Sequence, residues 1–300
     1  MRFGIMAMQM DLLIPPGLAL QAAMAHISGF DHAALVRQVA SSGFTTIELG
    51  GDLVLFFPHT YSPQAIERLA ALKQELGLTY TVHVPLWSVE PSTPLAPVRQ
   101  GSVRAVIETV QATRSLAPEV YVLHATGTLA TEFYRMRLPE LAHALILRQF
   151  ANCAGESIQA ILSETGIPSR RLAIETIEFP FDLTLDLAEQ FDLSICLDTG
   201  HVLSGFSGPI ELFDALERCL PRLAEIHLHD SPWLRPGQDI VYGRDHQLLG
   251  KGDLDAGRLL DRLAEANFAG PLIFELRVEQ ALASLDVIRS IRPGVLPARS

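Results

Sequence analysis

Apolar runs along this chain repeatedly stop at side chains that can hold a divalent cation: Thr-Val-His83, Val-Leu-His124, Ala-Ile-Glu175, Cys-Leu-Asp198, Glu-Ile-His227 and Ile-Phe-Glu275. Asp198 is followed by Thr199, Gly200 and His201, and His227 by Leu228, His229 and Asp230. Carboxylates and imidazoles are both available deprotonated near neutral pH, and together they suit a hard or borderline divalent ion. Taken singly, each group has an ordinary explanation: a turn or cap for Asp198, a satisfied core histidine for His83 or His124, a structural ion pair for Glu175 or Glu275. Taken together they point to a shared metal centre, because polar groups closing strongly apolar strands are costly to bury unpaired.

Such a centre needs elements that bring these ends to one place. Short apolar runs closed by turn residues predict strands over 2–8, 45–49, 78–84, 119–124, 171–175, 193–197, 223–229 and 272–276. Helices are expected between them: one capped by Asp31 and ending at Gly43, one opened by Ser62-Pro63 and ending at Gly77, and one over 98–116. A long helical region opened by Pro139 and interrupted near Gly155 runs to Gly166. Further helices cover 183–191, the stretch from Pro209 to Leu220, 255–267, and a last stretch ending near Pro293. The stretch between the first strand and Asp31, 85–97 and 231–252 read as loops, the latter two shaping a substrate, and the tail 294–300 reads as frayed. Eight strand-helix units over 1–293 give an α/β fold, a single (β/α)8 barrel. An open doubly wound sheet is the alternative, but no GxGxxG or GxxxxGK[ST] turn is present.

Composition narrows the function. The 300 residues are 48% hydrophobic, enough for one large core. A formal net charge of −11 and the lack of any Lys/Arg run disfavour nucleic-acid binding. Cys153, Cys196 and Cys219 have no paired spacing, which suggests a reducing compartment. With no signal-peptide pattern and no apolar stretch of about 18 residues, the expectation is a cytoplasmic protein without a membrane span.

The ordered motifs Val-His83-Val-Pro, Leu-His124-Ala-Thr-Gly, Ile-Glu175-Thr, Leu-Asp198-Thr-Gly-His201, Ile-His227-Leu-His-Asp, Asp245-His246 with Leu249-Gly250-Lys-Gly252, and Phe-Glu275-Leu resemble the endonuclease IV / xylose isomerase-like TIM-barrel superfamily over essentially the whole chain. In the sugar isomerase and epimerase branch, the resemblance implies one ion held by Glu175, Asp198, His227 and Glu275. In the endonuclease IV branch it implies zinc ions in a cluster: His83, His124 and Glu175 on one, Glu175 bridging to a second completed by Asp198, His227 and Glu275, and His201 with His246, and Asp245 where it reaches, on a third. The nuclease pattern has an Asp two residues before the loop histidine; here Arg244 stands there and Asp245 directly precedes His246.

The extra histidines favour a metal-dependent hydrolase, a phosphodiesterase with two or three zinc ions, and the acidic surface favours a small phosphorylated substrate over DNA. The cobamide-remodelling phosphodiesterase branch is compatible with this pattern. The competing expectation is a sugar or sugar-phosphate isomerase or epimerase with one Mn or Mg, in which Glu175 and Glu275 exchange protons at carbon. A barrel kept only as a binding module would leave most of these ligands vestigial. His229, on the strand face of His227, reads as support for a ligand or a substrate contact, and Arg277 as a group that meets an anionic substrate or orients Glu275. Glu48 reads as a substrate group or an ordinary strand-end acid, Lys251 as a solvated charge, Met6, Met8 and Met10 as barrel packing, and Cys196 as an interior neighbour of Asp198.

Overall fold

The computed structural model describes residues 1–9, 13, 17, 20–235 and 237–296. Eight parallel strands close into one barrel in sequence order: β1 (Arg2–Met6), β2 (Thr46–Gly50), β3 (Thr79–His83), β4 (Tyr121–Leu123), β5 (Leu172–Glu175), β6 (Ser194–Asp198), β7 (Leu223–His227) and β8 (Pro271–Phe274). β8 pairs with β1, which excludes the open sheet. The helices are α1 (Leu20–Ser28), α2 (His32–Ala40), α3 (Pro63–Leu76), α4 (Ala96–Thr113), α5 (Thr128–Arg135), α6 (Glu140–Thr165), α7 (Phe181–Gln190), α8 (Thr199–Leu203), α9 (Leu212–Cys219), α10 (Ala256–Glu265) and α11 (Val278–Ile291). Among the described residues, no helix is long and apolar enough to cross a membrane.

Local signals explain many boundaries. The Asp31 carboxylate accepts from the Ala33 and Ala34 N–H groups at the start of α2, Ser62 caps α3, and the left-handed Gly77 ends it. The main core lies between barrel and helices, where outward residues such as Ile47, Ile174, Leu197, Ile226 and Phe274 pack. The inward positions are smaller or polar, with Val120, Val122, Ala173 and Cys196 in a separate cluster.

Several expected elements differ. α6 is one continuous helix rather than two pieces: Gly155 sits inside it because a Cβ there would stand 3.2 Å from the Phe191 ring, so this glycine serves close packing and not a break. α1 occupies a stretch read as a loop, α5 and α8 stand where no helix is expected, and the helix expected from Pro209 begins at Leu212. Met10, and residues 297–300 of the expected tail, lie outside the described residues.

One irregularity matters for function. Along β6 and β7 the register shifts between Ile195 and Cys196, so that Ile195 pairs with Leu223 but Cys196 with Glu225 and Asp198 with His227. Paired residues on parallel strands face the same side, so without the shift Asp198 would oppose Ile226 and His227 would turn away from it.

Candidate metal centre

The Asp-Thr-Gly-His sequence has a separate reason at each position. The Asp198 carboxylate accepts the His201 N–H at 2.7 Å and so caps the one-turn helix α8, which returns the imidazole three residues later to the same side. The Thr199 hydroxyl lies 3.1 Å from the His227 carbonyl and 2.7 Å from that of His229, tying β6 to β7. At Gly200 a Cβ would stand 2.1 Å from His229 Nδ1, so only glycine leaves room for that ring.

The strand ends converge. His83 Nε2 and His124 Nε2 lie 3.1 and 3.0 Å from Glu175 Oε2, and His201 Nδ1 lies 3.1 Å from Glu175 Oε1. His227 Nδ1 is 3.4 Å from Glu175 Oε2, 3.5 Å from Glu275 Oε1 and 3.7 Å from Asp198 Oδ2. His246 Nε2 reaches Glu275 Oε2 at 3.2 Å, and its Nδ1 lies 2.7 Å from Asp245 Oδ2. His83 donates its Nδ1–H to the Val84 carbonyl at 2.9 Å, so Nε2 is the nitrogen that faces Glu175 and would take a cation in place of a proton.

Neighbouring sets bring ligand atoms within 4.8 Å of one another: His83, His124 and Glu175; Glu175, Asp198 and His227; and His201, His229 and His246, of which His201 and His246 would be the donors because both ring nitrogens of His229 are hydrogen-bonded. Ligand atoms about 2.0–2.1 Å from one tetrahedral ion stand roughly 3.3–3.4 Å apart, close to these spacings. The fit is also one of need. His201 Nδ1 and His227 Nδ1 are buried without a hydrogen-bond partner among the described residues, beside carboxylate oxygens that a cation would share.

The charges respond as a compact acid–imidazole cluster should. Burial alone would lower the His83 pKa, but the hydrogen bond and charge of Glu175, with Glu48 and Glu275 beyond, raise it to about 9. Burial likewise opposes, and Asp245 and Glu275 overcome, a rise at His246 to about 11. Burial would raise Glu275, yet His227 and His246 hold it down at about 2. Against the same penalty, His124 and His227 keep Glu175 well below the usual carboxylate range. Burial pushes the Cys196 thiol well up, so it is a neutral interior group.

The centre opens into a cavity of about 520 Å³ with Met6, Met8, Leu86, Trp87 and Leu276 on its apolar side and Gln9, Arg277 and Gln280 among its polar groups. The surrounding loops are pinned. Asp52 accepts the Leu86 and Trp87 N–H groups, and Asp230 accepts those of Ser231, Gly250 and Leu254 at 2.8–2.9 Å, which anchors 231–252. His246 holds a left-handed backbone at φ 58°, and its N–H donates to His229 Nδ1 at 3.0 Å. His229 must then donate from Nε2 to Asp198 Oδ2, at 2.9 Å.

The structure thus brings His83, His124, Glu175, Asp198, His201, His227, His229, Asp245, His246 and Glu275 together, with Arg277 at the cavity wall. Glu48 is not a substrate group: it is 0% exposed, beneath His227, with His227 Nε2 3.4 Å from its Oε2. Lys251 is an exposed loop charge, as its sequence context suggests. Sequence reasoning missed Glu225, although strand alternation gives a signal, since it stands two residues before His227 and so shares its inward face. Burial, then the charge of Glu48, pushes the Glu225 carboxyl well above its ordinary value.

Comparison with known proteins agrees with this architecture. A family model described as a xylose isomerase-like TIM barrel matches residues 36–291. An uncharacterised protein of Methanocaldococcus jannaschii is 22% identical over 251 residues, 79% of this chain and 78% of that one. A D-tagatose 3-epimerase-like protein superposes with a TM-score of 0.69 at 18% identity, covering 97% of both chains. Endonuclease IV from Thermus thermophilus superposes with a TM-score of 0.63 at 21% identity, covering 97% of this chain and 98% of that one.

Proposed function

This chain belongs to the xylose isomerase-like TIM barrel family, and from that premise we propose that it is a metal-dependent phosphoester hydrolase acting on a small phosphodiester. The observation that carries this reading is the meeting of His83 Nε2 and His124 Nε2 on one oxygen of Glu175, at 3.1 and 3.0 Å, beside a second and a third set of donors. A single-ion isomerase has no need of the first set. We assign His83, His124 and Glu175 to one zinc ion, Glu175, Asp198, His227 and Glu275 to a second, and His201 and His246 to a third, with His229 and Asp245 beside them. When bound, such ions polarise a phosphoryl oxygen, lower the pKa of water and stabilise the leaving oxygen.

The chain's own residues supply the rest. Glu175 orients the imidazoles around it, and Glu275, facing the cavity, accepts a hydrogen bond from the attacking water and aims it. Arg277 meets the substrate's negative charge, while Trp87, Leu86, Met8 and Leu276 exclude bulk water and strengthen these interactions. The net charge of −11 and the small cavity favour a small ligand over DNA, with a cobamide phosphodiester among the substrates to be tried.

The competing isomerase or epimerase reading is favoured by one feature: Glu175, Asp198, His227 and Glu275 by themselves make a complete single-ion set. Metal analysis and turnover of bis(p-nitrophenyl) phosphate separate the two. Two or three zinc ions per chain, hydrolysis, and its loss in His83→Ala by more than the roughly 100-fold typical of a supporting group are expected. One exchangeable manganese or magnesium, no hydrolysis, and solvent deuterium entering a ketose would overturn the proposal.

A further inference from the structure

One layer deeper in the barrel lies a second group of donors that the proposed reaction leaves unused. Glu48 pairs with Thr81 two residues before the Gly50–His83 pair, and Glu225 pairs with Cys196 two residues before the Asp198–His227 pair. Glu48, Glu225 and His227 are all 0% exposed. Among the described residues, both oxygens of Glu48, Oε2 of Glu225 and Nε2 of His227 lack a hydrogen-bond partner. The Thr81 hydroxyl donates to Glu225 Oε1 at 3.1 Å and so fixes that carboxylate. Buried polar atoms are rarely left so, and four on three adjoining residues call for an occupant.

The spacing indicates which occupant. One ligand atom from each of the three residues lies within 4.8 Å of the others. The 3.4 Å between His227 Nε2 and Glu48 Oε2 exceeds the roughly 2.7–2.9 Å of a charge-assisted hydrogen bond and equals the separation of two ligands on one tetrahedral ion. We propose that Glu48, Glu225 and His227 form an internal site for a divalent cation of the zinc or manganese class, distinct from the ions facing the cavity. Bound as carboxylates, Glu48 and Glu225 would offset the two charges of one divalent ion, and the mixed oxygen and nitrogen donors suit that class. His227 serves both levels, Nδ1 toward Glu175 and Glu275 and Nε2 toward Glu48. Ions at both levels would require the ring's one remaining proton to leave to solvent, since each nitrogen would then give its lone pair to a cation. The site stands whichever reaction the cavity performs.

The test uses the full chain, stripped with a chelator, reloaded with zinc, freed of excess, and examined by elemental analysis and by anomalous scattering at the zinc edge. Wild-type crystals should show a peak within bonding distance of Glu48, Glu225 and His227 Nε2. Glu225→Gln should lose that peak and about one zinc per chain while keeping the peaks at the cavity. A wild-type map with the cavity sites filled and nothing below, with protons or a water alone serving Glu48 and Glu225, overturns the proposal, as does an unchanged metal count in folded Glu225→Gln. Should circular dichroism show that this variant does not fold, the wild-type map decides alone. A lower peak beneath empty cavity sites supports this inference and sinks the hydrolase reading.

Discussion

At the scale of single residues, Glu175 is the group most of the centre depends on. Its Oε2 meets His83, His124 and His227, and its Oε1 meets His201. Glu175→Gln should therefore reduce metal content and activity more than any other single ligand change, measured by elemental analysis beside a phosphodiesterase assay. His32 offers a contrast far from that chemistry. Its ring is buried against Phe30 and Tyr61, with Nδ1 3.4 Å from the Thr60 carbonyl and Nε2 unpartnered. Burial lowers its pKa to about 4, from 6.5 when exposed. Between those values the unfolded chain binds the proton and the folded chain does not. The His32 contribution is therefore complete above pH 6.5 and is lost as pH falls toward 4, by roughly 3 kcal/mol in all. The pH dependence of urea stability over that range should flatten by about this amount in His32→Leu relative to wild type.

Elements show where reading a sequence works and where it stops. Asp31, Ser62 and Gly77 announce α2 and α3 because a cap is a local contact. α5 has no capping side chain of its own: Glu90, far back in the chain, accepts the Gly127 and Leu129 N–H groups at its start, and no local pattern encodes that. The loop 231–252 depends in the same way on one buried carboxylate. Asp230→Ala leaves three N–H groups without an acceptor at about 1–3 kcal/mol each, so a loss of roughly 3 kcal/mol or more is expected. Limited proteolysis should cut within 231–252 faster, and His246, carried on that loop, should lose its place beside Glu275.

For the molecule as a whole, a cation that binds only the folded cluster of acids and imidazoles would stabilise the fold. A chelator should lower the melting temperature and added zinc should restore it, by about 4 kcal/mol of stability at ~1,000 times the dissociation constant. A wild-type melting temperature unmoved by chelation would sink the metal reading. The net charge of −11 predicts no retention of a short DNA duplex at about 0.1 M salt in an electrophoretic shift assay.

The sequence by itself determined the barrel, through eight apolar runs at regular spacing, and most of the acids and histidines of the centre, through their place at the ends of those runs. It also carried the Asp198–His201 pair, whose geometry is one turn of helix. Only the tertiary structure decided that β6 and β7 slip by one residue so that Asp198 faces His227, that Glu225 joins Glu48 beneath the centre, and that His229 anchors the backbone of His246. The physical reason is range. Alternation and capping act over a few residues and leave a mark in the pattern, whereas register and the packing of rings depend on neighbours distant along the chain.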